Sequence, residues 1–347
     1  MGLVTNKLFL LIRDYFKSYL PVMRKSSPNT IRAYQIAMEQ FLDYVKDERK
    51  IKLYEITIGM INRETLTAYL KYIETTKGCG TSTRNHRLNC IRAFFKFAAS
   101  CDLDAAACWN EIQLLKPARE AVKPVEYMSQ NVIETILAQP DITTRMGLRD
   151  MFLMLFLYQT GARVQELVDI RIKDISFGKT AVVSLRGKGA KVRCVPLREK
   201  LVDHLNRYLA TFHSGSNPYS DEYLVFTLRN GKYARMSEDN VRRLVQKYGK
   251  MAQQEKPNVP DNVHPHLFRH SRAMHLYQSG VALPLVSQWL GHSRLETTLI
   301  YAHADTEQKR RAIENAIPEE STLKMFLNAE RYSIDDEDTI KQLYGLR

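Results

Sequence analysis

From Lys116 to Ser129 the chain reads KPAREAVKPVEYMS, a stretch with two prolines and mixed charge that interrupts the helical periodicity on either side of it. Proline lacks a backbone N–H and pushes the residue before it out of helical backbone, so no helix runs through this stretch. It reads as a linker, over residues 117–128. A chain of 347 residues cut there forms two bodies, each long enough to bury a core of its own. The expected division is a helical domain at 1–116, a second domain at 129–317 and a tail at 318–347.

Charge says what such bodies meet. The chain carries 51 Lys and Arg against 38 Asp and Glu, a net charge of +13. By segment the balance is +7 for 1–116, +9 for 117–317 and −3 for 318–347. Two basic domains suit a polyanion, most simply nucleic acid, because each phosphate contact releases condensed counterions. Five cysteines, Cys79, Cys90, Cys101, Cys108 and Cys194, are an odd number without paired spacing and fit reduced thiols. No early apolar run is long enough to span a bilayer or to serve as a secretory signal, so a cytoplasmic protein is expected.

In the first domain KLFLLIRDYFKSYL, SSPNTIRAYQIAMEQFLDYV, LTAYLKYIETTKG and RNHRLNCIRAFFKFAASCDL have apolar positions at helical spacing, with Ser and Asn caps and a Gly stop. Beyond the linker, MSQNVIETILAQP and the strongly apolar TTRMGLRDMFLMLFLYQTGARVQELVDIRIKDI give helices broken at Thr160–Gly161, which puts Arg163 in the first turn of the next one. TAVVSLRGKGAKVRCVPL alternates on both sides of a Gly-rich turn and predicts a hairpin, as does the Asn230–Gly231 turn. REKLVDHLNRYLATF and EDNVRRLVQKYGKMAQQ are further amphipathic helices.

The stretch from His264 to His303, HPHLFRHSRAMHLYQSGVALPLVSQWLGHSRLETTLIYAH, holds six of the nine histidines. With Pro265 in the first turn of a helix, His266 and Arg269 emerge on one face near its N-terminus, where anions are favoured. His292 follows a Gly turn after an apolar helix, and Tyr301 comes soon after. Any one of these histidines alone is best explained by a local hydrogen bond; the group together could converge on one phosphate. His264, His266 and His270 do not make a usual zinc spacing and no cysteine lies near, so no metal is expected.

HPHLFRH, WLGHS and the TTLIYAH tyrosine, with the earlier TGARVQEL, resemble in order and spacing the boxes of the tyrosine site-specific recombinases, the phage integrase family that includes the Xer and Cre proteins. The resemblance implies a mainly α fold with a small β-sheet or hairpin in the catalytic domain, and a two-domain C-shaped clamp on double-stranded DNA. The first domain then is the SAM-like core-binding domain, with Thr30, Arg32, Arg84, Asn85 and Arg87 facing phosphates or bases. Arg163 becomes the first catalytic arginine, with Glu166 supporting it, and Lys188 at the hairpin tip the catalytic lysine, with Lys191 as the second candidate. His266, Arg269, His292 and Tyr301 complete the catalytic set. In the tail, Leu323, Phe326, Leu327, Leu343 and Tyr344 are placed to contact another protomer of a homotetramer on two DNA sites, or to fold back on their own domain.

These residues supply what metal-free phosphodiester cleavage needs. Tyr301 attacks and forms a 3′-phosphotyrosine bond, which stores the bond energy so that no ATP and no other cofactor is needed. Arg163 and Arg269 hold the non-bridging oxygens with planar guanidinium groups. His292 adds a hydrogen bond, and the resemblance makes Lys188 the acid for the leaving 5′ oxygen and His266 the base for Tyr301. The expected role is integration, excision, inversion or transposition of a mobile element. Xer-type chromosome dimer resolution, a type IB topoisomerase and a DNA-binding protein with a disabled site are the alternatives.

Overall fold

The computed structural model describes residues 6–120, 125–187, 191–215, 217–292 and 294–304, together with Glu337, Ile340, Lys341 and Gly345. Two compact units emerge, Met1–Val122 and Lys123–Arg347, so the boundary falls inside the predicted linker.

In the first unit α1 (Lys7–Asp14) runs into wider π-type turns over Tyr15–Met23, where Pro21 cannot donate to an α-helical ladder. Then follow α2 (Pro28–Arg49), α3 (Arg63–Thr75), α4 (Thr81–Ala99) and α5 (Leu103–Ile112). Ser27 caps α2, its Oγ accepting from the Thr30 amide, and Pro28 holds the first helical position. Apolar residues one turn apart, such as Phe41 with Val45 and Tyr69 with Ile73, share one buried core. Tyr15 sits at its aromatic centre, stacked on Tyr19 and edge-on to Phe94.

The second unit is built round α7 (Arg145–Thr160), where the run Met151–Met154 with Phe156 and Leu157 is buried. A helix apolar on nearly every side must be covered on every side, and α9 (Glu199–Phe212) and α11 (Pro265–Gln278) pack on it, with α6 (Gln130–Ala138) beside. After α8 (Val164–Asp169) comes a three-stranded antiparallel sheet of β1 (Ile175–Ser176), β2 (Val182–Arg186) and β3 (Val192–Pro196). The predicted second hairpin is β4 (Phe226–Arg229) with β5 (Lys232–Arg235), and Asn230 and Gly231 both take positive φ at its turn. Next come α10 (Glu238–Glu255), α12 (Leu283–Leu290) and α13 (Glu296–Ala304). Ala273, Met274, Val286, Leu290 and Tyr301 form a small cluster of their own at this end.

The linker is tethered at both ends. Asn85 donates to the Ala118 carbonyl and to Glu120 and accepts from the Ala118 amide. On the far side Met128 is buried and its amide donates to Ser271 Oγ. Aperiodicity marked a segment without helix, but side chains far away in sequence decide how it is held. No helix among the described residues is long and apolar enough to cross a membrane.

Candidate active site

Glu166 is the centre of the site. It lies on α8, 3 % exposed, and its carboxylate accepts four hydrogen bonds: from the Arg163 amide (2.8 Å), Arg163 Nη1 (2.8 Å), Arg193 Nη1 (2.7 Å) and Arg193 Nη2 (2.7 Å). Four bonds fill the acceptor capacity of a carboxylate. Burial pushes its pKa up, but the Arg193 and Arg163 hydrogen bonds and charges outweigh that and hold it below its ordinary value. The expected pair of Arg163 with Glu166 is thus present, with Arg163 one position earlier than expected, at the N-cap of α8 and not in its first turn.

Arg193 was not singled out in the sequence. It stands on β3 opposite Leu185, in phase with the buried Val195, so it projects to the covered side of the sheet, and its Nε donates to the Trp289 carbonyl at 2.9 Å. An arginine at an inward position of a strand was the available signal. Two glycines make room for this network. A Cβ on Gly187 would lie 3.2 Å from Glu166 Oε1, and one on Gly291, whose φ is +64°, would lie 2.8 Å from Arg193 Cδ. Lys188, the predicted hairpin lysine, lies outside the described residues.

α11 begins as the sequence predicts. His264 is the N-cap and accepts from the Leu267 amide, and Pro265 opens the helix. Arg269, 3 % exposed, donates to the carbonyls of Gly161 and Leu290, both at 2.6 Å. These carbonyls are the C-terminal ends of α7 and α12, so two helix ends fix one guanidinium. Burial and the neighbouring Arg163 and Arg193 push its pKa down to about 9. Arg163 and Arg193 bond to the one carboxylate and Arg269 only feels its charge, which leaves two positive charges unbalanced. Of the three histidines weighed as zinc ligands, His264 caps the helix with its ring 6.5 Å from that of His266, and His270 meets Tyr301.

His292 follows Gly291 in the turn after α12, and its Nδ1 lies 2.8 Å from Thr298 Oγ. Burial, then Arg269, Arg163 and Arg193, push its pKa down to about 4, so the ring is neutral near pH 7. His266 is also held below its usual value, by desolvation first and Arg269 second. Tyr301, on α13, is 1 % exposed, and burial pushes its phenol up to about 12 against the opposing pull of Arg269 and Arg163. Its hydrogen-bond partner is His270 Nδ1, at 2.9 Å, and not His266, the base expected from the resemblance. The signal for His270 was its place one turn after His266 on the same helix face.

The predicted DNA-facing residues of the first unit separate. Arg32 is exposed, while Thr30 hydrogen-bonds to Ser27 at the start of α2. Arg84 pairs with Glu74 and donates to Asn85. Arg87 is partly buried. Asn85 corrects the surface reading: it is buried and holds the Ala118 backbone, because it lies in the same apolar phase of α4 as Leu88 and Ile91. The tail residues Leu323, Phe326, Leu327, Leu343 and Tyr344 lie outside the described residues.

Residues 126–308 match the phage integrase family, and residues 14–101 match the phage integrase N-terminal SAM-like domain. Tyrosine recombinase XerA of Pyrococcus horikoshii is 31% identical over 307 residues, 88% of this chain and 93% of that one. Tyrosine recombinase XerD of Staphylococcus epidermidis is 27% identical over 301 residues, 87% of this chain and 96% of its own. In fold the chain is similar to the XerH site-specific recombinase solved in a pre-cleavage complex with its difH substrate, with a TM-score of 0.62 and 22% identity over 84% of this chain and 80% of that one. It is also similar to the Tn1549 transposon integrase in complex with transposon right end DNA, with a TM-score of 0.65 and 19% identity over 88% and 98% of the two chains. A buried arginine–carboxylate network beside a histidine-bonded tyrosine, carried by a chain that matches along both its units, places this protein in the phage integrase family, the tyrosine recombinases.

Proposed function

We propose that this enzyme is a site-specific recombinase that cleaves and rejoins double-stranded DNA through a 3′-phosphotyrosine bond to Tyr301. The observation that carries the reading is the pair of unbalanced positive charges left by Arg163, Arg193 and Arg269 around Glu166, beside Tyr301. Such a site favours a tightly held anion, and favours still more the charge that grows on phosphoryl oxygens during attack. Arg163, about a third of whose side chain is open, and Arg269 bind the non-bridging oxygens. In the tautomer where Thr298 donates to Nδ1, His292 carries its proton on Nε2 and offers it to the phosphate. Lys188 protonates the departing 5′ oxygen. Neither a metal nor ATP takes part, since the phosphotyrosine conserves the energy of the broken bond.

Exchange between two duplex sites needs two bonds made and two broken on each strand pair, which a homotetramer supplies, with the tail at 318–347 joining protomers. We assign the enzyme to movement of a mobile element. The identity to relatives named XerA and XerD supports chromosome dimer resolution as the second reading.

Trapping on nicked duplex in the presence of EDTA tests the chemistry. A protein–DNA adduct that survives denaturation and vanishes in Tyr301→Phe is the expected result. An adduct retained by Tyr301→Phe, or cleavage that requires a divalent metal, would overturn it. A two-site substrate then separates a recombinase, which yields exchanged products, from a type IB topoisomerase, which only relaxes supercoils.

A further inference from the structure

Tyr301 shares a hydrogen bond with a residue outside the catalytic set. The phenol oxygen lies 2.9 Å from His270 Nδ1, with ring centroids 5.9 Å apart. The groups acting on His270 are His266, Arg269 and His264 on its own helix, Tyr301 on α13 and His292 in the α12–α13 turn, and no carboxylate is among them. Burial, then His266 and Arg269, push the His270 imidazole down to about 4. Both partners are therefore neutral near pH 7, and in the tautomer with the ring proton on Nε2 the phenol O–H donates to Nδ1. The donor is the nucleophile, and the acceptor is a free imidazole lone pair already in hydrogen-bonding range. His266, by contrast, is exposed and no hydrogen bond joins it to Tyr301.

Resting on the recombinase reading above, we infer that His270, and not His266, is the general base that takes the proton of Tyr301.

In the free enzyme burial first, and then His266 and Arg269, oppose a further cation, so the imidazole stays neutral and the phenol keeps its proton. A phosphate held by Arg163 and Arg269 offsets the Arg269 part of that opposition and so favours proton transfer to His270. In the forward step the Tyr301 O–H proton passes to His270 Nδ1, the phenolate oxygen bonds to phosphorus, and the bond from phosphorus to the 5′ oxygen breaks. That oxygen takes a proton from a separate acid, Lys188. Rejoining reverses each transfer, with the His270 imidazolium returning the proton to the tyrosine oxygen. Before the phosphate arrives the nucleophile stays a protonated, buried phenol.

The test is single-turnover cleavage of a nicked duplex by the full chain, followed as covalent adduct across the neutral pH range. His270→Gln keeps an oxygen that can accept from Tyr301 but cannot carry the proton away. It is expected to slow cleavage by about 10²–10⁴-fold and to lose the acid limb of the pH profile, with DNA binding and thermal stability kept. His270→Ala should recover rate when imidazole is added, and His266→Gln should keep the acid limb. A substrate with sulfur in place of the bridging 5′ oxygen needs no acid, and it should leave the His270→Gln defect in place. Wild-type rate and profile in His270→Gln, faster cleavage by it, or rescue by the sulfur substrate each overturn the inference while leaving the recombinase reading intact. A wild-type protein that forms no Tyr301-dependent adduct removes both.

Discussion

Glu166 is a single carboxylate placed against two arginines, and its removal has consequences that can be worked out in sign and size. Glu166→Gln puts an amide where two guanidinium groups expect an anion, and leaves Arg163, Arg193 and Arg269 to repel one another in a buried setting. Breaking a buried pair this way costs about 3–5 kcal/mol, to be read from urea unfolding at neutral pH. The carboxyl is held below its ordinary pKa of 4.5. Its contribution is therefore complete above the unfolded value and drains away as pH falls through the lower folded one. Wild-type stability should decline on acidification below about 4.5 with a component that Glu166→Gln lacks; parallel curves for the two proteins would refute it. At this scale the sequence named Arg163, Glu166, Arg269, His292 and Tyr301 because their boxes are local. It passed over Arg193 and weighed His270 only as a zinc ligand, and the meaning of both comes from contacts 27 and 31 residues away in the chain.

Among the elements, the turn that ends α12 is the most tightly specified. Gly291 caps the helix in left-handed backbone, and its missing Cβ is the space Arg193 fills. Gly291→Ala therefore carries the left-handed penalty of about 1–2 kcal/mol and displaces Arg193 from Glu166. A melting temperature lowered by several degrees, together with slower adduct formation, is expected; unchanged cleavage at a lowered melting point would mean that Arg193 can repack. The helices and both hairpins were legible, since amphipathic spacing, Ser27 and Pro28, and the Asn230–Gly231 turn act over a few residues. What spacing could not supply is the joint positioning of Arg269 by the last turns of α7 and α12, which are distant in sequence from each other.

For the molecule as a whole, the chain between the units is anchored by Asn85 on one side and Ser271 on the other. Asn85→Ala removes three hydrogen bonds to 118–120 and should open a protease-sensitive window there while both cores remain intact. Limited proteolysis followed by mass spectrometry reads this directly, and an unchanged cleavage pattern would show that packing alone holds the segment. A basic chain of net charge +13 should also bind duplex DNA with an affinity that falls steeply and log-linearly with salt. An affinity independent of salt would contradict the electrostatic reading.

By itself the sequence determined the helical class with its small sheet and the boxes of the family, and it predicted a linker in which the boundary of the two compact units falls. Periodicity, turn chemistry and short motifs are local and are written in consecutive residues. The tertiary structure alone decided that one carboxylate serves two arginines, that Asn85 faces the linker backbone and not the surface, and that Tyr301 rests on His270. Each of these depends on the direction in which a side chain leaves a folded element, and that direction is set only when the elements pack.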